Sequence, residues 1–417
     1  MRPSESVRNY TSTLRMYANF AARTVKKVCA DTPARVAGSE EEKKAQDFMA
    51  AQVGDAADEV TREEFTLSPK AYFGWLKPAG VLLLLLTAVN ILNIFFAKDI
   101  TYAAYLWPVF FVILGLFALV ENRFGGAVVD GFFKKATSQN VYCVRKPSGE
   151  VKRRIVFVGG ADSSYERRYQ YLGGQKLVSF VVIYPALGVL YNTGVAAFAI
   201  VQGEVTPLLS ILYWVSLAFL PGWLLLTGFM NSKIVSDGAN YNLTGCMTGA
   251  AVLKFMGDND IRLENTETAV LFAGGAAAGA RGAKAAAGRH PEYAKDDAET
   301  VVIALGNIRN LEELTVCVKD LHGAVTLDPR VGSLLQKAAE YAEVTVKTGK
   351  CPYGFSDAAP FAKAGVKAGL VTAVGTPLPE SFCTREDKAD TLELRTIEKA
   401  VGMALEAAFR FDEAGLE

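Results

Sequence analysis

The chain has 417 residues, 51% of them hydrophobic, and its 44 basic and 44 acidic residues cancel. That balance supplies no global field to steer it to nucleic acid or to an acidic substrate, so no nucleic-acid partner is expected. The apolar share exceeds that of an ordinary soluble domain; most of the excess falls in two blocks, roughly residues 78–120 and 177–230, which argues against a purely soluble globule.

Residues 1–76 contain no apolar h-region, which predicts no cleavable signal peptide. Val7, Tyr10, Leu14, Tyr17, Ala21, Val25 and Val28 fall on one helical stripe, with Arg8, Arg15, Arg23, Lys26 and Lys27 on the other faces. Such a helix suits packing on a domain or lying on anionic lipid. Ser39 then opens a second helix, with Glu40, Glu41 and Glu42 in the first turn, where the macrodipole favours anions.

Four apolar segments follow, near residues 78–96, 102–120, 177–201 and 207–230. Each has about 19–25 residues and almost no charge, enough to cross about 30 Å of hydrocarbon. Core helices rarely stay apolar on every face for that length. Tyr102, Tyr105, Trp107, Tyr213 and Trp214 sit near span ends and suit an aromatic belt. Lys70, Lys77, Arg123, Lys134, Lys135, Arg167, Arg168, Lys176 and Lys233 flank the spans on one side, whereas the connections at 97–101 and 202–206 carry only Lys98, Asp99 and Glu204. The positive-inside rule therefore places both termini and the soluble part in the cytoplasm. Six cysteines without C-x-x-C spacing agree, since they suit reduced, buried thiols.

Short β-branched runs at 154–158, 268–273, 300–305, 314–319 and 369–374 read as strands, and 244–256, 332–342 and 396–411 as helices. This alternation predicts an α/β fold, a three-layer sandwich around a mostly parallel mixed sheet. Sites in such folds form at the carboxyl ends of strands, which directs attention to the loops after Val158, Ala273 and Leu305 and around Ser356.

Those loops carry motifs in order. Residues 35–39 read RVAGS; 154–163 read RIVFVGGADS; 238–245 read GANYNLTG; 272–283 run from FAGG to AGARGA; 355–361 read FSDAAPF; and 382–392 run from FCTRED to DTL. Together they resemble metallopeptidase family 28, the zinc aminopeptidase-like family whose relatives include glutaminyl cyclases, the transferrin receptor, nicastrin and nicalin. The resemblance covers nearly all of the chain outside the spans. It implies the phosphorylase/hydrolase-like aminopeptidase fold, interrupted by two transmembrane hairpins. The domain would then comprise residues 1–77, 121–176 and 231–417, with the hairpins at 78–120 and 177–230.

In the family, two zinc ions are held by His and carboxylate ligands, and a Glu acts as base. Carried over position by position, the resemblance leaves nearly all these places empty. The first histidine falls on Gly160, with Asp162 retained; the bridging aspartate falls on Tyr241; the glutamate pair falls on Ala276 and Ala277. The next aspartate falls on Gly306 and the last histidine on Ala358. Glycine and alanine offer no donor atom, and a phenol with pKa near 10 is a poor zinc ligand. The chain has only two histidines, His290 and His322, outside every motif, and both read as solvated.

No catalytic residue, bound metal or cofactor is therefore expected. Asp162, Asn240, Tyr241, Asn242, Ser356 and Asp357 would line the former pocket. Nothing near Ser356 in sequence would activate its hydroxyl, and Cys246 reads as packing. The expectation is a membrane-anchored pseudopeptidase that binds a protein or peptide partner, alone or as an oligomer with an active paralogue. The alternative is an active membrane zinc aminopeptidase with displaced ligands. A transport subunit is disfavoured because the spans lack charged residues.

Overall fold

The computed structural model describes residues 2–96, 102–123, 128–295 and 297–416; Lys98 and Asp99 lie outside them. The chain divides into two units, one of Met1–Pro69, Lys134–Tyr165 and Lys233–Glu417, the other of Lys70–Phe133 and Glu166–Ser232.

The first unit is built on a nine-stranded sheet: β1 (Glu59–Leu67), β2 (Ala136–Arg145), β3 (Arg153–Gly160), β4 (Thr266–Ala273), β5 (Glu299–Ile308), β6 (Leu314–Asp320), β7 (Val325–Thr326), β8 (Lys347–Lys350) and β9 (Lys367–Ala373). The order is β1-β2-β4-β3-β5-β9-β6-β8, with β7 on β6. At the centre, β4, β3, β5 and β9 run parallel; β1, β2 and β6 enter antiparallel to their inner neighbours. The central strands are buried along nearly their whole length, as expected when helices cover both faces of a parallel sheet. The predicted runs fall within strands, save that 369–374 overruns its strand by one residue at Val374, and the mixed α/β sandwich is the observed fold.

Helix Thr244–Asp258 is almost wholly buried. Its approach to the sheet depends on Gly245, where an added Cβ would stand 1.8 Å from the Leu305 carbonyl oxygen. Helix Tyr10–Asp31 buries the anticipated stripe, from Leu14 through Tyr17, Ala21 and Val25 to Val28, in the same core. It packs on the domain, and Arg15, Arg23 and Lys26 stay exposed.

The second unit holds four helices long and apolar enough to cross a membrane: Ala71–Phe96, Ala104–Glu121, Arg168–Gln202 and Pro207–Thr227. The third begins nine residues earlier than the hydropathy run, and Gly173 and Gly174 break its helical backbone. The polar groups of this unit point inward. Asn90 Nδ2 donates to Asn192 Oδ1 at 3.3 Å, Trp107 Nε1 to Asn90 Oδ1 at 3.3 Å, and Trp223 Nε1 to Thr87 Oγ1 at 3.1 Å. Leu85, Leu116, Ile183, Leu190, Ile211 and Leu224 are exposed. Apolar outside with hydrogen bonds between helices inside is the arrangement a lipid solvent selects. The belt assignment needs correction at two positions: Trp107 and Tyr213 are buried within the unit, the former by its bond to Asn90, while Tyr105 and Trp214 face outward.

Candidate functional site

The parallel strands end at Gly160, Ala273, Ile308 and Ala373, and the motif loops gather at that edge. Between β3 and β4, Asp162 is fully buried. The Ala277 N–H donates to both its oxygens, at 3.0 and 3.2 Å, and Asn242 Nδ2 reaches Oδ1 at 3.3 Å. Burial, with the charges of Glu42 and Asp357 nearby, raises its pKa well above the usual carboxylate value. Asp162 is thus hydrogen-bonded within its own domain and inclined to hold a proton.

Residues 239–243 form an irregular turn in which Asn242 has φ of 99°, a conformation that costs a non-glycine residue on the order of 1–3 kcal/mol. Asp387 clamps it: its oxygens accept from Asn240 N at 2.9 Å, Asn240 Nδ2 at 3.0 Å and Tyr241 N at 2.8 Å. The clamp turns Asn240 away from the pocket, towards Asp387 and Thr391. Tyr241 is aimed instead at an aromatic cluster, its ring 4.8 Å from Phe382 and 6.1 Å from Tyr353, with Tyr353 stacked on Phe382 at 5.7 Å.

Side chains crowd the ends of β3 and β5. A Cβ on Gly306 would lie 2.6 Å from the Tyr353 hydroxyl, and one on Gly160 would lie 2.4 Å from Ala276 Cβ and 2.9 Å from the Asn242 amide. The cavity left among Tyr241, Asn242, Ala276, Gly306, Ser356 and Asp357 measures about 20 Å³, room for about one water. Ala358 is buried at the start of helix Ala358–Lys363.

Ser356 is not a free hydroxyl. It donates to Asp320 Oδ2 at 2.5 Å and accepts from the Ala358 N–H at 3.1 Å. Asp357 Oδ1 is buried without a hydrogen-bond partner, and burial together with the Asp320 charge pushes the carboxyl up to about 7. Cys246 Sγ donates to Gly160 O at 3.0 Å, and its burial raises the thiol pKa, so its role is packing. The six cysteines are free and buried. His290 is not solvated as expected: it is wedged between Glu63 and Glu292, at 2.9 and 2.8 Å, and stacks on Tyr293. His322 is exposed. Among the described residues, no three His, Cys, Asp or Glu side chains come together as a metal-holding group.

Sequence reasoning missed Tyr353, Phe382, Asp320 and Glu42. The last had a local signal. Ser39 caps its helix by accepting from Glu42 N at 3.1 Å, a position where a glutamate often reaches back to the preceding backbone. Glu42 does so, accepting from Gly38 N at 2.6 Å, and also from Gly275 N at 2.8 Å and Ser138 Oγ at 2.7 Å.

A sequence profile described as "Peptidase family M28" matches residues 220–408. The likeness of fold spans nearly the whole chain. An aminopeptidase from Aneurinibacillus sp. strain AM-1 superposes with a TM-score of 0.56 at 14% identity, over 96% of this chain and 95% of that one. A zinc aminopeptidase from Bacillus subtilis gives 0.53 at 13%, over 94% and 95%. A Bacteroides thetaiotaomicron glutaminyl cyclase gives 0.52 at 11%, over 96% and 97%. Among curated proteins, none matches in sequence.

Proposed function

We propose that this chain is a degenerate member of peptidase family M28, a membrane-anchored pseudopeptidase serving as a binding or scaffolding subunit, whose aminopeptidase-like domain keeps its fold and no longer performs hydrolysis. The observation that carries this reading is the self-filled pocket. Zinc needs N, O or S donors at about 2.0–2.3 Å with room for water or substrate. At the family's ligand positions this chain offers Gly160, Ala276, Ala277, Gly306 and Ala358, which have no donor atoms, and Tyr241, whose ring packs on Phe382. Asp162 is spent on Ala277 and Asn242. The residues present do not fit a zinc pair, nor a single zinc.

The scaffolding of the site nonetheless persists: the Asp387 clamp, the strained Asn242 and the buried Asp162 hold the loops in place. A fold retained without its chemistry suits recognition of a protein or peptide, including an active paralogue in a hetero-oligomer. The four apolar helices would anchor it, with the flanking lysines and arginines, and hence the domain and both termini, on the cytoplasmic side.

The test is hydrolysis. Full-length protein in detergent, offered a panel of aminoacyl fluorogenic substrates, should release fluorophore at the buffer rate, unchanged by chelator or added zinc. Chelator-sensitive turnover would overturn the proposal.

A further inference from the structure

A second, larger concavity lies at the same carboxyl edge of the sheet, between the segments that follow β5 and β9. It encloses about 490 Å³ and is lined by Arg309, Glu313, Thr376, Thr391 and Glu393, with Val374 and Pro377 adding apolar surface. Its volume is in the range of small-ligand sites, whereas the former metal pocket has room for about one water.

Its charges are arranged for a bipolar guest. Arg309 makes no hydrogen bond and no ion pair within 4 Å among the described residues. The acid it influences is Asp387, whose oxygens are already taken by Asn240 and Tyr241. A guanidinium without a partner in a concavity is a planar fork of donors matched to a carboxylate. Two carboxylates accompany it. Glu313 is held by Lys347 Nζ at 2.8 Å, and Glu393 accepts from Thr396 Oγ1 at 2.7 Å and Leu311 N at 3.3 Å. Each keeps further acceptor capacity. A simple dianion would meet repulsion from these acids; a molecule bearing both a carboxylate and an ammonium would not.

We propose that this concavity binds the zwitterionic ends of an amino acid or short peptide, the carboxylate on Arg309 and the ammonium towards Glu313 or Glu393. The proposal rests on the binding role argued above, for which it names a ligand class, and it uses none of the vacated ligand positions. It also has a route to them: Thr391 Oγ1 accepts from Asn240 Nδ2 at 2.8 Å, and Asn240 is clamped by Asp387 beside Tyr241.

The experiment is calorimetric titration of full-length protein in detergent with four probes: trialanine, its C-terminal amide, its N-acetyl form, and alanine. Trialanine or alanine should bind, and both blocked peptides should bind about tenfold or more weakly, the scale of one charge-assisted hydrogen bond. Arg309→Gln should bind free and amidated trialanine alike. Alanine matching trialanine assigns the site to free amino acids; trialanine binding more tightly assigns it to peptides. Equal binding of free and blocked peptides by the unmutated protein overturns the proposal, as does no heat from any probe up to roughly millimolar concentration. Neither depends on the variant folding. Such a failure leaves the pseudopeptidase reading intact, and chelator-sensitive turnover would sink that reading without touching this one.

Discussion

Placing a histidine at Gly160 should damage the domain and should not build a metal site. Any side chain there begins with a Cβ 2.4 Å from Ala276 Cβ and 2.9 Å from the Asn242 amide, and Asn242 is itself fixed by its bond to Asp162. Gly160→Ala is therefore expected to cost about 1–3 kcal/mol as an overpacking substitution, and Gly160→His at least as much. Gly306→Asp meets the Tyr353 hydroxyl at 2.6 Å, with Tyr353 held against Phe382 and Tyr241. Urea unfolding of the three variants checks this. A Gly160→His protein as stable as its parent would show that the pocket can open and that the packing described here is not what excludes the ligands.

The second large effect is a pH dependence of stability centred on Glu42. Burial pushes its carboxyl up to about 7 despite hydrogen bonds from Ser138, Gly38 and Gly275. The unfolded chain releases this proton near about 4.3. Between those values the folded state binds a proton the unfolded state lacks, so stability declines as pH rises through the window and levels off above it. Glu42's share of the loss should be on the order of 3 kcal/mol, and Glu42→Gln should make that part of the profile shallower, leaving the slope that Asp357 and Asp162 contribute with the same sign. Thermal unfolding that grows more stable from about pH 5 to about pH 7, with no change of slope in Glu42→Gln, would contradict the assignment.

The four long apolar helices were legible because fitness to cross a bilayer is a matter of composition and length, which a sequence states directly. The strands were legible for a related reason: central parallel strands such as β3 and β4 are buried on both faces and read as continuous apolar runs. Which way a side chain turns was not. Trp107 and Tyr213 look like belt residues in a hydropathy plot, yet Trp107 turns inward to Asn90. Its partner lies on another helix, and nothing local announces it. Likewise, the third apolar helix starts at Arg168 because helix continues past the apolar run, through charged residues and the break at Gly173 and Gly174.

At the site, motif order located Gly160, Asp162, Tyr241, Ala276, Gly306 and Asp357, and the structure brings them to one edge of the sheet. What filled the gap could not be read off. Tyr353 and Phe382 lie far from Gly306 and Tyr241 in sequence, and their stacking is a tertiary event. Asp387 sat within a recognised motif, but its role as a clamp on Asn240 and Tyr241 depends on a contact spanning about 150 residues of chain. Glu42 was visible only as one of three acids in a first helical turn, where the helix dipole explains its presence without predicting its burial.

The most direct test of the central claim is elemental analysis of full-length protein purified without chelator from cells supplied with zinc. A pocket closed by Tyr241, Tyr353 and Phe382 should carry well below one zinc per chain after dialysis. One or two zinc ions per chain, retained through dialysis and lost on Asp162→Asn, would contradict it.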